Sequence, residues 1–318
     1  MNFEKIEEAY ELLLENVQVL QNQLMTNSYD ALIEQNMAYA KEMLLEQEAL
    51  DANNKKLRQL QLTQEEWRRV YQFLLIKLNQ TEPLQYNHQF TPDSIGFLLV
   101  FILDCLFEQD QLEVIEIGSG TGNLAYTLIN HSSKSLDYLG IELDDLLIDL
   151  SASMAEVMGV DLSLVQGDAI RPQLLKTSDV IVSDLPIGYY PDDVIASRFS
   201  LAAPEGHTYA HHLLMAQGIK YLKEDGYGIF LAPNALLTSL QSHLFKEWLA
   251  TEAQLLAVIS LPEAFFGKKE LAKSLFILQK QAGKAPETFV YALQSLQDRT
   301  LLQNFLTAFK KWSREGAN

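Results

Sequence analysis

The stretch that most limits what this chain can fold into is Val114-Ile115-Glu116-Ile117-Gly118-Ser119-Gly120-Thr121-Gly122-Asn123. A short apolar run ends in glycines at every second position, and a helical pattern follows from Leu124 to about Asn130. This order reads as a strand, a tight turn and a helix N-terminus. Such a turn exposes bare backbone and free N–H groups to a ligand.

The pattern around the turn fits one architecture. Strands are expected at Leu112–Ile117, Leu136–Glu142, Leu162–Gln166, Val180–Asp184, Gly226–Ala232, Leu255–Leu261 and Ser274–Gln279. Helices are expected at Thr121–Asn130, Asp144–Met158, His207–Leu222 and Ser239–Ala250. Alternation of this kind gives an α/β, doubly wound, mostly parallel sheet of seven strands with helices on both faces. The close spacing of the last two strands predicts an antiparallel edge. Residues 287–293 are read as a further strand and Gln303–Trp312 as a closing helix.

Residues 1–84 read as a separate helical domain. They contain no Gly and no Pro before Pro83, and good helix formers abound. Ile6, Tyr10, Leu13, Leu14, Val17, Leu20 and Leu24 form one apolar stripe. A second helix is expected over Ser28–Glu48, broken by Asp51-Ala52-Asn53-Asn54. Thr63-Gln64-Glu65-Glu66 resembles a capping box that opens a third. Gln85–Pro92 is read as the linker into the second domain, 85–318, whose first helix starts at Thr91-Pro92-Asp93-Ser94.

The bulk properties restrict the function. With 318 residues, the chain suits about two domains. It has no apolar run long enough to span a membrane. The N-terminus lacks a signal-peptide pattern, and the lone Cys105 reads as a core residue, so the cytoplasm is the expected compartment. The net charge of -18 argues against a protein that coats nucleic acid generically. It leaves room for a local basic groove or a partner that supplies one. Lys268, Lys269 and Lys273, and Lys310, Lys311 and Arg314, read as solvated faces. His207 and His211 have the spacing of a metal-binding pair on a helix, but no H-E-x-x-H pattern accompanies them, and no metal site is expected.

Doubly wound sheets place ligands at the carboxyl ends of their strands, and acids stand there. Glu142 ends the second strand, where a carboxylate accepts both hydroxyls of a ribose. Asp168 follows the third, where an adenine can be oriented. Glu116 precedes the glycine turn. A dinucleotide fingerprint needs glycine at the sixth place of G-x-G-x-x-G, which here is Asn123, and no Gly-Lys-Ser/Thr follows for a phosphate loop.

The G-x-G-x-G turn preceded by Glu116 resembles the glycine motif of class I S-adenosylmethionine-dependent methyltransferases. Asp184-Leu185-Pro186-Ile187-Gly188-Tyr189-Tyr190 resembles the Asp/Asn-Pro-Pro-aromatic motif of amino methyltransferases. There the first side chain and a backbone carbonyl accept hydrogen bonds from the target amine, and the aromatic ring stacks on the target base. Leu185 replaces the first proline and Ile187 stands where the aromatic is usual, so Tyr189 or Tyr190 would supply the ring from a displaced position.

Gln89-Phe90-Thr91-Pro92, Phe230-Leu231-Ala232-Pro233-Asn234, Ile259-Ser260-Leu261-Pro262-Glu263-Ala264-Phe265-Phe266 and Lys273-Ser274-Leu275-Phe276-Ile277-Leu278 extend the likeness. Over residues 85–280 the chain is similar to N6-adenine DNA methyltransferases, above all type I modification subunits and a group of stand-alone bacterial methylases. The resemblance implies S-adenosylmethionine as cofactor, held by Phe90, Thr91, Glu116, Gly118, Gly120, Gly122, Asn123, Glu142, Asp168 and Asp184. It implies that Asp184, Pro186, Tyr189 and Tyr190 serve the reaction. The expected function is N-methylation of an adenine amino group in DNA or RNA. A protein amide or small molecule as acceptor is the alternative, as is a cofactor-binding interaction protein. The N-terminal helices would serve a homodimer or a protein partner.

Overall fold

The computed structural model describes residues 1–43, 48–84, 90–281 and 287–315. Most of the Gln85–Pro92 linker, including Gln89, lies outside them.

Four helices open the chain: α1 (Phe3–Leu24), α2 (Ser28–Ala40), α3 (Glu48–Leu60) and α4 (Gln64–Thr81). Asn2 and Asn27 cap α1 and α2, and the Thr63–Glu66 capping box opens α4 as its sequence indicates. Along the expected stripe, Ile6, Leu13, Val17 and Leu20 are buried, whereas Leu24 is exposed where α1 ends. The second helix departs from expectation. It ends at Ala40, and Asp51–Asn54 lie inside α3. Asn53 and Asn54 act here as core amides, not as helix breakers. The Asn16 amide donates to Gln35 Oε1 at 2.9 Å, Gln35 donates to Asn54 Oδ1 at 2.6 Å, and Asn53 donates to Asn16 Oδ1 at 2.9 Å. Burying amides is costly unless they pair, so this cluster favours one register of α1, α2 and α3.

Next come α5 (Asp93–Leu106), β1 (Gln111–Ile117), α6 (Asn123–His131), β2 (Ser135–Glu142), α7 (Asp145–Met158), β3 (Ser163–Gln166), β4 (Ser178–Asp184), the single turn α8 (Asp193–Ala196) and α9 (Ala210–Lys220). β5 (Leu222–Pro233), α10 (Ser242–Thr251), β6 (Ala253–Ser260), β7 (Lys273–Lys280), β8 (Phe289–Ala292) and α11 (Arg299–Glu315) complete the chain.

The strands form one sheet in the order β3-β2-β1-β4-β5-β7-β6-β8. Among the described residues it has eight strands, not seven, because β8 pairs in parallel with β6. The antiparallel strand is not an edge. β7 lies between β5 and β6 and runs against both. Its run from Lys273 to Leu278 is buried throughout, with Leu275 and Ile277 in the core on one face of the sheet and Phe276 and Leu278 in the core on the other.

One face of the sheet packs against α5, α6 and α11, through residues such as Leu99, Leu124 and Phe305. The other packs against α9 and α10, through Leu213, Phe245 and Trp248. The N-terminal helices share a third core with α6 and α7, which includes Leu32, Trp67, Tyr126 and Met154. Asn36 of α2 donates to Ser153 of α7 at 3.0 Å. Arg68 of α4 is buried and binds both Glu65 and Asp93 of α5. Thus the helical region rests on the helix that follows β2, and an ion cluster ties it to the helix that precedes β1.

Candidate active site

A cavity of about 660 Å³ opens at the carboxyl ends of β1, β2 and β4 and is also lined by Phe90, Thr91, Leu271 and Lys273. This is where a doubly wound sheet places its ligands.

The glycine turn forms its floor. Gly118, Gly120 and Gly122 have φ of 71°, 54° and 80°, a region in which a Cβ is strained. The N–H groups of Gly118 and Ser119 donate to Ile141 O at 2.8 and 3.1 Å, which ties the turn to β2. Gly118 and Gly120 line the cavity and Gly122 does not. Gly122 caps α6 instead, and a Cβ there would stand 2.5 Å from Ser151 Oγ and 2.8 Å from the Tyr126 ring. The first two glycines shape the cavity, and the third lets α6 close against α7.

Each expected acid has a fixed environment. Glu142 Oε2 accepts from Gly120 N at 2.8 Å, and Oε1 accepts from Leu143 N and Asp144 N at 2.7 and 3.0 Å. Glu116 is buried, and its Oε2 accepts from the Tyr138 hydroxyl at 3.0 Å. Burial pushes its carboxyl well above the usual range; the Tyr138 hydrogen bond opposes this, and the charges of Glu142 and Asp184 add to it. Asp168 accepts from Ile170 N at 3.0 Å, from the Tyr190 hydroxyl at 2.5 Å and from Arg171 Nε at 3.3 Å. Burial and the hydrogen bond to Asp168 push the Tyr190 phenol up to about 12.

Asp184 lies at the end of β4. Its Oδ2 accepts from the Thr91 hydroxyl at 2.8 Å, and the Thr91 carbonyl accepts from the Asn123 amide at 2.9 Å. The segment before α5 is thereby joined to both the glycine turn and the Asp184 motif. Leu185, in place of the usual first proline, is buried, and its N–H donates to Leu231 O at 2.9 Å. A proline has no N–H to make that bond. Pro186 and Ile187 line the cavity, as does Tyr190. Tyr189 is not among the lining residues. It is half exposed and stacks on Tyr209, with ring centres 4.7 Å apart and planes at 12°.

Lys273 was expected on a solvated face and is instead buried. Its Nζ donates to Asp184 Oδ1 at 2.5 Å and to the Leu185 carbonyl at 2.8 Å. The register of β7 on β5, which sets Lys273 opposite Pro233, brings it there. A lysine just ahead of the apolar run Leu275–Leu278 was the available signal. Lys268, Lys269, Lys310, Lys311 and Arg314 are exposed as expected.

The histidines do not meet as a helical pair, because α9 starts at Ala210 and leaves His207 outside it. His207 pairs with Asp193 at 2.9 Å. His211 hydrogen-bonds the Pro186 backbone, and burial depresses it to about 4, and His212 to about 3. Both are therefore neutral packing groups near pH 7. Cys105 is partly buried beside the core, and burial raises its thiol. No helix among the described residues is long and apolar enough to cross a membrane.

Comparison with known proteins adds to this geometry. The model of the N-6 DNA Methylase family matches residues 63–310. The Bacillus subtilis protein YtxK is 32% identical, over 96% of this chain and 97% of its own length. The crystal structure of a Listeria monocytogenes protein assigned to class I S-adenosylmethionine-dependent methyltransferases has 30% identity and a TM-score of 0.89, covering 98% of this chain and 100% of that one. The methyltransferase subunit of a type I restriction-modification system from Streptococcus thermophilus shares the fold, with a TM-score of 0.67 at 16% identity over 95% of this chain and 73% of that one.

Proposed function

The chain belongs to the N-6 DNA Methylase family, and we propose that it transfers a methyl group from S-adenosylmethionine to an adenine amino group in DNA or RNA. It is a methyltransferase, and S-adenosylmethionine is its cofactor.

The donor set in the cavity suits that cofactor. The Cβ position of Gly118 has no heavy atom within 4 Å, which leaves room for a ligand against the backbone. Glu116 is a buried acid that can receive a cationic group, Glu142 offers carboxylate oxygens to a ribose, and Asp168 with its neighbouring backbone suits the adenine end. Phe90, Thr91 and Asn123 close the methionine end, and Gly120 and Gly122 shape the turn. When bound, the cofactor supplies a methyl group on a sulfonium, a good leaving group, so positioning of the acceptor supplies much of the catalysis.

One observation carries the acceptor assignment: the Asp184 carboxylate and the Leu185 carbonyl converge on a single point, marked by an amine nitrogen 2.5 and 2.8 Å away. Two acceptors aimed at one nitrogen hold its N–H bonds and leave its lone pair for the methyl group. Pro186 stiffens the backbone there, Tyr190 supplies aromatic surface within the cavity, and Tyr189, stacked on Tyr209 outside its lining, offers aromatic surface to the rest of a larger acceptor. We assign residues 1–84 to a helical domain that meets a protein partner or a second copy. With a net charge of -18, a nucleic-acid acceptor calls for a local basic groove or for a partner that supplies one.

The test is transfer of labelled methyl groups to DNA, RNA and protein fractions, with each product digested by nuclease and by protease. Label released by nuclease is the expected result, and label released only by protease overturns the acceptor. Asp184→Ala should lower transfer about a hundredfold while still binding S-adenosylmethionine.

A further inference from the structure

We propose that Lys273 is a built-in occupant of the acceptor subsite: its ammonium sits where the acceptor amine must bind, and acceptors are selected by their ability to displace it. The inference rests on the methyl-transfer reading above.

Lys273 Nζ donates to Asp184 Oδ1 and to Leu185 O, the side-chain and backbone acceptors assigned to the target amine. The residue is 6% exposed and its side chain lines the cavity. It is not part of a basic track. Among the described residues that line the cavity it is the only lysine or arginine, in a lining that also holds Glu116, Glu142, Asp168 and Asp184. Its hydrogen bond to Asp184 is charge-assisted and therefore stronger than one from a neutral amine. A small neutral amine competes poorly for the same two acceptors.

The charge of the reaction points the same way. As the N–C bond forms and the S–C bond breaks, the sulfonium becomes a neutral thioether and the attacking nitrogen gains positive charge until its N–H proton passes to water. An ammonium at hydrogen-bond distance from both acceptors opposes that charge. Nζ must therefore leave before transfer, which its flexible four-carbon stem permits. An acceptor with contacts beyond the amine can drive the exchange, whereas a free nucleoside has few to offer.

The test is titration of adenosine into protein saturated with S-adenosylhomocysteine, so that the nucleoside reports on the acceptor subsite. Lys273→Met removes the ammonium, and Lys273→Arg keeps a cation. The Met variant should bind adenosine about tenfold more tightly than wild type, with the Arg variant gaining nothing. Equal or weaker binding by the Met variant overturns the proposal, as does the absence of binding in every protein. Should Lys273→Met fail to fold, the neutral Lys273→Gln variant is compared with wild type in the same titration, and no gain overturns the proposal. Methyl transfer by wild type is scored separately: label reaching only protein sinks the nucleic-acid reading, and the adenosine comparison judges Lys273.

Discussion

The Thr91 hydroxyl donates to Asp184 Oδ2 at 2.8 Å across 93 positions of sequence. Through the Thr91 carbonyl the same residue holds Asn123 at the start of α6. One threonine thus bridges the glycine turn and the Asp184 motif, whose strands β1 and β4 already pair. Thr91→Val keeps the shape and removes the hydroxyl. Loss of one hydrogen bond to a charged group costs about 1.5–3 kcal/mol. Transfer is expected to fall about tenfold or more, with a smaller change in cofactor affinity. Steady-state kinetics and calorimetry on the same preparation check this, and unchanged kcat/KM contradicts it.

Gly118 and Gly122 share left-handed backbone but differ in what a side chain would meet. Gly118→Ala carries backbone strain of about 1–2 kcal/mol and adds a methyl group to a residue that lines the cavity. Gly122→Ala adds overlap with Ser151 and Tyr126, and overpacking brings about 1–3 kcal/mol more. Thermal unfolding should therefore show the larger loss for Gly122→Ala. S-adenosylmethionine titration should show the larger loss for Gly118→Ala.

Glu116 predicts a pH dependence of fixed sign. Its folded carboxyl is raised well above 4.5 by burial, with the neighbouring acids adding. The folded state then holds a proton that the unfolded state has released. Stability falls as pH rises through the window above 4.5. Glu116→Gln should flatten that fall in urea-unfolding series. A cationic ligand beside Glu116 reverses the preference, so cofactor binding should release a proton and strengthen as pH rises. Calorimetry in buffers of different ionisation enthalpy reads the proton directly, and the Gln variant should lose it.

Arg68 is 1% exposed between Glu65 and Asp93. Burial raises the Glu65 carboxyl, but the hydrogen bonds and charges of Arg68 and His131 together outweigh it and bring it down to about 2. That contribution to stability is present above 4.5 and lost as pH falls toward 2. Arg68→Met removes the buried guanidinium and leaves Glu65 and Asp93 to Arg69, with His131 on Glu65 and Gln72 on Asp93, and the loss of charge-assisted hydrogen bonds should cost about 1.5–3 kcal/mol near neutral pH. The penalty should shrink in acid. A constant penalty across pH would show that Arg68 contributes by packing alone.

Much of the fold was legible because periodicity is local. The apolar runs of β1, β2, β4 and β5 and the spacing in α1 and α4 named their elements within a few residues. Likewise, Thr63 and Glu66 form the capping box their spacing indicates. The turn at Gly118–Gly122 was legible because three glycines at alternate positions after a strand leave few backbone paths. Asn53 and Asn54 misled because an amide breaks or joins a helix according to what lies beside it. Here Asn16 and Gln35, distant in sequence, supply the partners.

By itself, then, the sequence determined the succession of strands along the chain, the left-handed glycine turn and the acids at the carboxyl ends of β1, β2 and β4. These follow from side-chain periodicity and from backbone freedom at glycine, which act over a few residues. Only the tertiary structure decided that β7 runs between β5 and β6, and that Lys273 lies buried against Asp184 and Leu185. The burial and charge partner of a lysine depend on which strand packs beside it, and strand order is set by the packing of the whole sheet.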